Sequence, residues 1–286
     1  MATPTSTARF DTDDSAMRLA VLIDADNAQA AVIEGLLAEV ARFGVATVKR
    51  IYGDFTSPTS AGWKRVLQKF AIKPVQQFAY TTGKNATDST LIIDAMDLLY
   101  TRKFDGFCLV TSDSDFTGLA MRIREEGLTV FGFGEKKTPD AFRNACHKFI
   151  FTEVLRVRDD KGPKAAEVPA DSKVASKAGS QAASKPGARK RGGKQAVEKP
   201  VVAEKADNTL PVRFMLDALE QSGDENGWAY LGIFGTYLNK LQPDFDSRNF
   251  GFKKLSDLVK AHSELFVTEE RSLPGSPQKQ LFVRAR

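Results

Sequence analysis

Over the first 158 residues, short apolar runs alternate with helical stretches, and that alternation limits the architectures open to the chain. Leu19–Ile23 (LAVLI) is the first run and ends at Asp24; Ala46–Ile51, Lys73–Ala79, Gly106–Val110 and Leu128–Phe133 are further strand candidates. Between them, Ala28–Phe43, Ser60–Phe70, Thr90–Tyr100 and Thr117–Glu126 carry helical patterns. Strands separated by helices of this length build βαβ units, which predicts an α/β fold with a mostly parallel sheet and helices on both faces. Strands that are apolar almost throughout fit burial on both sides.

Beyond residue 207 the pattern changes. Thr209 and Pro211 mark a helix start, and Phe214, Met215, Ala218 and Leu219 follow at helical spacing. A second helix carries Leu231, Phe234, Leu238 and Leu241, and a third carries Leu255, Leu258 and Val259. Leu265–Glu269 and Gln280–Val283 then read as two strands around the turn-rich Leu273–Gln278. Three short helices followed by a β-hairpin is the layout of a winged helix. The stretch Asp159–Asp207 has no aromatic residue and repeats Lys, Ala, Ser, Gly and Pro, so it cannot bury enough apolar surface to offset its ordering entropy. The expected organisation is a disordered N-terminus (1–17), an α/β domain (18–158), a basic disordered linker (159–207) and a small C-terminal domain (208–286).

The net charge of +5 is unevenly placed. Up to Arg158 there are 20 basic and 19 acidic residues, from Asp159 to Asp207 there are 11 and 7, and from Asn208 onward 10 and 10. The excess thus sits in the linker, densest at Arg189, Lys190, Arg191 and Lys194, a run that suits polyphosphate chains without reading sequence and equally suits a solubilising tether. The two cysteines, Cys108 and Cys146, are far apart, which supports neither a disulfide framework nor a zinc site and points to buried small hydrophobes. The polar N-terminus does not read as a secretory signal, and no apolar stretch approaches the ~20 residues of a membrane helix, so the cytoplasm is the expected location and no membrane partner is expected.

Three acidic motifs sit where strands hand over to loops. Asp24-Ala25-Asp26-Asn27 follows the first strand; Lys84-Asn85-Ala86-Thr87-Asp88 precedes a helix that contains Asp94; Thr111-Ser112-Asp113-Ser114-Asp115-Phe116 follows the strand Gly106–Val110. In an open parallel sheet, ligands bind beyond the carboxyl ends of the strands; the first and third motifs project there, and the second can reach the same place from the start of its helix. Gathering Asp24, Asp88, Asp113 and Asp115 is destabilising on its own, because like charges raise one another's pKa, and a divalent cation resolves the conflict. Carboxylates without Cys or His point to Mg²⁺ or Mn²⁺. Any one of these aspartates alone also suits a helix cap or a turn; the set favours a site. Asp94 follows Asp88 by six residues, about 240° around a helix, and joins the site only if Asp88 precedes that helix. Lys84 is a candidate phosphate contact, although an exposed lysine is more often only solvated. Phe116 reads as core, and neither His147 nor His262 shows a partner pattern.

At these motifs the sequence resembles the NYN family, the PIN-like ribonuclease domains that include the LabA-like proteins. The resemblance rests on Leu22–Asn27, Lys84–Asp94 and Leu109–Phe116 and spans about Leu19 to Val157. It implies a PIN-like Rossmannoid fold and Mg²⁺- or Mn²⁺-dependent RNA cleavage, with the acidic pattern carried by Asp24, Asp88, Asp113 and Asp115 and with Asn27 as a helper; Asp26, Ser112 and Asp94 are supporting candidates. Ala25 stands where many relatives carry glycine and Asp26 where many carry glutamate. The corresponding reaction is in-line attack of activated water on a phosphodiester, leaving a 5′-phosphate and a 3′-hydroxyl. Trp228–Leu231, Arg248–Val259 and the hairpin resemble the LOTUS, or OST-HTH, domain, which implies an RNA-binding or protein-binding winged helix. Arg248, Lys253 and Lys254 are its candidate phosphate contacts, while its balanced charge keeps a protein partner open.

The leading expectation is therefore an endoribonuclease with an RNA- or protein-binding module. A non-catalytic RNA-binding regulator is the alternative. A haloacid-dehalogenase-type phosphatase built on Asp24 and Asp26 is a third reading, which lacks the later lysine and acidic motif that chemistry needs.

Overall fold

A computed structural model describes residues 16–56, 61–78, 86–156, 209–272 and 279–286. The linker with Arg189, Lys190, Arg191 and Lys194, most of the N-terminal stretch 1–17, Lys84, Asn85 and the turn Leu273–Gln278 lie outside the described residues.

The first run becomes β1 (Arg18–Asp24), buried along all but its first residue. Its alternation serves two cores at once. Ala20 and Leu22 face one cluster together with α3 (Ala86–Tyr100), α4 (Thr117–Glu125) and α5 (Asp140–Ala145). Leu19, Val21 and Ile23 face the other, with α1 (Ile33–Val40) and Trp63 of α2 (Ala61–Phe70). A strand with a core on each side has to be apolar throughout, which is why LAVLI shows no polar alternation. The remaining strands are β2 (Val45–Gly53), β3 (Lys73–Gln76), β4 (Gly106–Val110), β5 (Thr129–Gly134) and β6 (Lys148–Phe151). They form one parallel sheet in the order β3-β2-β1-β4-β5-β6. The order reverses direction between β1 and β4, the switch point where open α/β sheets leave a crevice.

Three details depart from the expected elements. The first helical stretch starts as a 3-10 turn at Ala30–Val32 and becomes α-helical only at Ile33. Helix α3 begins at Ala86 rather than Thr90, so Asp88 lies inside its first turn. Strand β6 and helix α5 are additions; a four-residue strand opening on a lysine is too short to show a period. Both cysteines are free and buried, as expected; burial alone pushes the Cys108 thiol well above its usual range, and it drives Cys146 up to about 12.

The C-terminal part has its own core. Met215, Ala218 and Leu219 of α6 (Val212–Ser222) pack with Phe234 and Leu238 of α7 (Leu231–Leu241) and with Leu258 and Val259 of α8 (Leu255–Ala261). Strands β8 (Phe266–Ser272) and β9 (Lys279–Ala285) pair antiparallel, and the two-residue β7 (Ala229–Tyr230) adds to the far side of β9. Three helices and a small antiparallel sheet make the expected winged helix, with one strand more than the hairpin.

The junction between the two folded parts is polar. Glu39 of α1, buried, accepts from the Arg248 guanidinium at 2.8 and 3.1 Å and from Arg42 at 3.0 Å. Arg248 also holds Asp246, and Arg143 of α5 pairs with Asp244. The Phe149 N–H on β6 donates to the Pro243 carbonyl at 2.8 Å. No helix among the described residues is long and apolar enough to cross a membrane.

Candidate active site

The carboxyl ends of β1 and β4 lie side by side, because Ile23 pairs with Val110. Asp24 therefore ends beside Thr111, and the chain leaving β4 turns over it. Asp24 is fully buried, and its carboxylate accepts three hydrogen bonds: from the Asp26 N–H at 3.0 Å, the Asn27 amide at 2.7 Å and the Thr111 hydroxyl at 3.0 Å. Burial raises its pKa, and those bonds oppose the rise. The Thr111 oxygen in turn accepts from the Asp113 N–H at 3.1 Å. Asp113 caps the 3-10 turn Ser114–Phe116 by accepting from the Asp115 N–H at 2.9 Å. Asp24 thus sits beneath the third motif and holds its backbone through Thr111.

Above this floor, Asp88 comes in from the first turn of α3. Among the described residues, Asp88, Asp113 and Asp115 form a close group in which one carboxylate oxygen from each lies within 4.8 Å of the others. Partial burial and then the negative charges of Asp24, Asp113, Asp115 and Asp26 push the Asp88 pKa to about 6. The fold has gathered carboxylates that repel one another, and all the candidate ligands are hard oxygens, which is the donor set that suits Mg²⁺ or Mn²⁺.

The other expected site residues separate into distinct roles. Asn27 and Asp26 anchor Asp24 from one side. Ser112 is buried, and its hydroxyl accepts from the Glu135 N–H at 2.8 Å, which ties the β4 loop to the end of β5. Asp94 stays out of the group: its carboxylate accepts from Arg50 and from the buried Tyr52 hydroxyl, both on β2. Since Asp88 lies within α3, the helical angle between the two turns Asp94 away, as the periodicity argument requires. Ala25 is accommodated opposite Gly53, where an added Cβ would meet the Ala25 methyl at 2.7 Å. Phe116 is core. His147 accepts from the Val130 N–H at 3.0 Å, a structural bond, and burial lowers its pKa.

Two residues were not singled out by sequence. Thr111 bridges Asp24 and Asp113, and the register of two adjacent strands was the signal for it. Glu135, half-buried at the end of β5, is held by Lys137 and Gln29, and its pKa is lowered first by the Lys137 bond. The basic candidates of the C-terminal part also divide. Arg248 is engaged by Glu39 and Asp246, whereas Lys253 and Lys254 are exposed. The buried, hydrogen-bonded Asp24 offers no solvent-facing nucleophile, which argues against the phosphatase reading.

Comparison with known proteins agrees with this architecture. The NYN domain model matches residues 18–154, and the OST-HTH/LOTUS domain model matches residues 210–277. Among solved structures, an uncharacterized protein from Nitrosomonas europaea determined by solution NMR is 58% identical over 32% of this chain and 89% of its own, with a TM-score of 0.27. A protein fragment from Chromobacterium violaceum is 31% identical over 28% of this chain and 85% of its own, at a TM-score of 0.23. The crystal structure of a protein of unknown function from Vibrio parahaemolyticus is 17% identical over 51% and 96%, at 0.42. No curated protein matches the chain. The six-stranded sheet and its acidic rim lie within the first matched region, and the small winged helix spans the second: the chain carries an NYN domain, of a PIN-like nuclease family, followed by an OST-HTH/LOTUS domain.

Proposed function

We propose that this protein is an endoribonuclease that cleaves RNA phosphodiesters with a divalent cation held by Asp88, Asp113 and Asp115, and that its C-terminal domain holds RNA. The observation that carries the reading is the convergence of these three aspartates at the switch point of the sheet. Mg²⁺ or Mn²⁺ bound there supplies Lewis-acid polarisation of a phosphate oxygen. Asp24 contributes negative charge from below and, through Thr111, fixes the backbone that presents Asp113. Asp115, the exposed member of the group, would also orient the attacking water. Asn27 keeps the Asp24 carboxylate in one orientation.

The test is cleavage of mixed single-stranded RNAs with Mg²⁺, Mn²⁺ or EDTA, alongside Asp113→Asn. Activity should require the cation and fall about a thousandfold in the variant, the scale of a lost charge-stabilising ligand at ~1.4 kcal/mol per factor of ten. Equal cleavage by the wild type and a folded Asp113→Asn variant would defeat the reading and favour a non-catalytic RNA-binding role.

A further inference from the structure

We propose that the outer face of the C-terminal sheet is a stacking platform for unpaired RNA bases, formed by Trp228, Tyr230 and Phe282 with Arg271 and Arg284 around them. The choice of RNA rests on the nuclease reading; the platform itself rests on the sheet. Side chains alternate between the two faces of a strand. Val283 and Ala229 pair and are both buried, so they mark the core face. Their neighbours therefore point outward: Trp228 and Tyr230 flank Ala229, and Phe282 and Arg284 flank Val283. Phe282 lies opposite Tyr230 on one side and Glu269 on the other, and Arg271 lies opposite Gln280.

An exposed sheet face is ordinarily polar, yet this one carries three aromatic rings. Tyr230 is 37% exposed, and Trp228 and Phe282 are half-buried. The Tyr230 and Phe282 ring centroids are 5.9 Å apart. The Arg271 guanidinium lies 4.6 Å from the Trp228 ring centroid and 4.8 Å from that of Phe282, and Arg284 reaches Trp228 at 5.0 Å. The Tyr230 ring passes so close to Gly232 that a Cβ there would meet it at 2.7 Å, so the glycine gives the ring a flat seat against α7. Two carboxylates border this face: Glu269, which Arg271 pairs with at 3.0 Å, and Asp224, which accepts from the Trp228 N–H at 2.9 Å and adds its charge beside Arg271.

The result is a surface of aromatic rings and guanidinium planes, with Arg271 and Arg284 laid over Trp228 and Phe282, in a domain whose charges balance overall. Planar bases gain by stacking on rings and on guanidinium planes, and the phosphates between them meet the arginines. A paired helix hides its base faces and cannot use such a surface, so the platform selects single strands. A protein partner would gain less here, because the two cations are built into the aromatic surface and would need acidic counterparts.

The experiment measures binding of a short unstructured fluorescent RNA, and of the same sequence as a duplex, to the full chain in EDTA. Single strands should bind better than the duplex. Tyr230→Ala should weaken single-strand binding about tenfold, and Tyr230→Trp should keep it. Arg284→Gln should lower the log–log salt slope by about 0.7, one phosphate contact on a single strand. Circular dichroism of each variant confirms folding. Equal binding by wild type and folded Tyr230→Ala, or equal affinity for duplex and single strand, would overturn the proposal. So would a face that ignores RNA and is protected from hydrogen exchange only by a protein. Because binding is read without cation, a chain that binds RNA through this face but cleaves none defeats only the nuclease reading. One that cleaves while its affinity is indifferent to Tyr230 defeats only the platform.

Discussion

The rim of the parallel sheet and the junction with the C-terminal domain treat charge in opposite ways. At the rim, Asp88, Asp113 and Asp115 set like charges against one another, and Asp88 is driven up to about 6. At the junction, every buried acid named above meets an arginine: Glu39 meets Arg248 and Arg42, and Asp244 meets Arg143. Burial works against the Asp246 carboxylate there, but Arg248 outweighs it and its pKa falls below the usual value. Where the fold needs only to hold together, it neutralises its charges. Where it leaves them in conflict, something from outside has to resolve the conflict, and this contrast separates the candidate site from the scaffold.

The contrast is broken or sharpened most directly by pH. If Asp88 must be ionised to hold the cation, cleavage at fixed Mg²⁺ should fall about tenfold per pH unit below about 6. A rate that stays flat to pH 5 would mean that Asp88 is not a ligand. The junction offers the next largest effect. Arg248→Ala takes the paired arginine from Asp246 and leaves Glu39 with Arg42 alone, and should cost about 2 kcal/mol of stability while leaving RNA affinity unchanged. Replacing the exposed Lys253 and Lys254 with alanine should do the reverse: stability holds and the log–log salt slope of RNA binding drops by up to about 1.4. Equal effects on affinity would erase the division between structural and binding cations.

The smallest effect is thermal. The Asp88 pKa is higher in the folded chain than in the unfolded one, so its ionisation opposes folding; the stability it lends is complete below the ordinary value of 3.8 and is lost as pH rises through about 6. Without cation, Asp88→Asn should therefore raise Tm by about 1–3 °C at pH 7–8, a value kept small for a half-exposed group, and the gain should vanish below about pH 4. Added Mg²⁺ should stabilise the wild type and not the variant. A lower Tm for the variant would make Asp88 a structural cap.

The sequence made much of this legible, and its failures have physical causes. LAVLI and GFCLV could be placed because a strand buried on both faces has no other way to look. The three motifs could be placed because the ends of parallel strands share one rim. Depth could not be read: Asp24 and Asp113 both close a strand, and only the register of Ile23 with Val110 shows that Thr111 covers the first and leaves it beneath the second. Asp94 has its partners Arg50 and Tyr52 on β2, more than forty positions away, and Arg248 has Glu39 at 209. Side chains whose role is set by such distant partners look, in sequence, like their neighbours. Arg248 therefore looked like Lys253. The platform of Trp228, Tyr230 and Phe282 was hidden for a related reason, since its rings meet only when β7 joins β9.

The single rung from Phe149 to Pro243 has a consequence for the company this chain keeps. An outermost strand offers its unpaired amides to any extended segment and so invites copies of the chain to add on to one another. Here the outer side of β6 meets a proline, whose carbonyl can accept but whose nitrogen has no hydrogen to return, so the ladder stops at that residue. The OST-HTH/LOTUS domain thus also serves as a stopper on the six-stranded sheet, and a chain ending at Arg158 would expose a growing edge prone to polymerise.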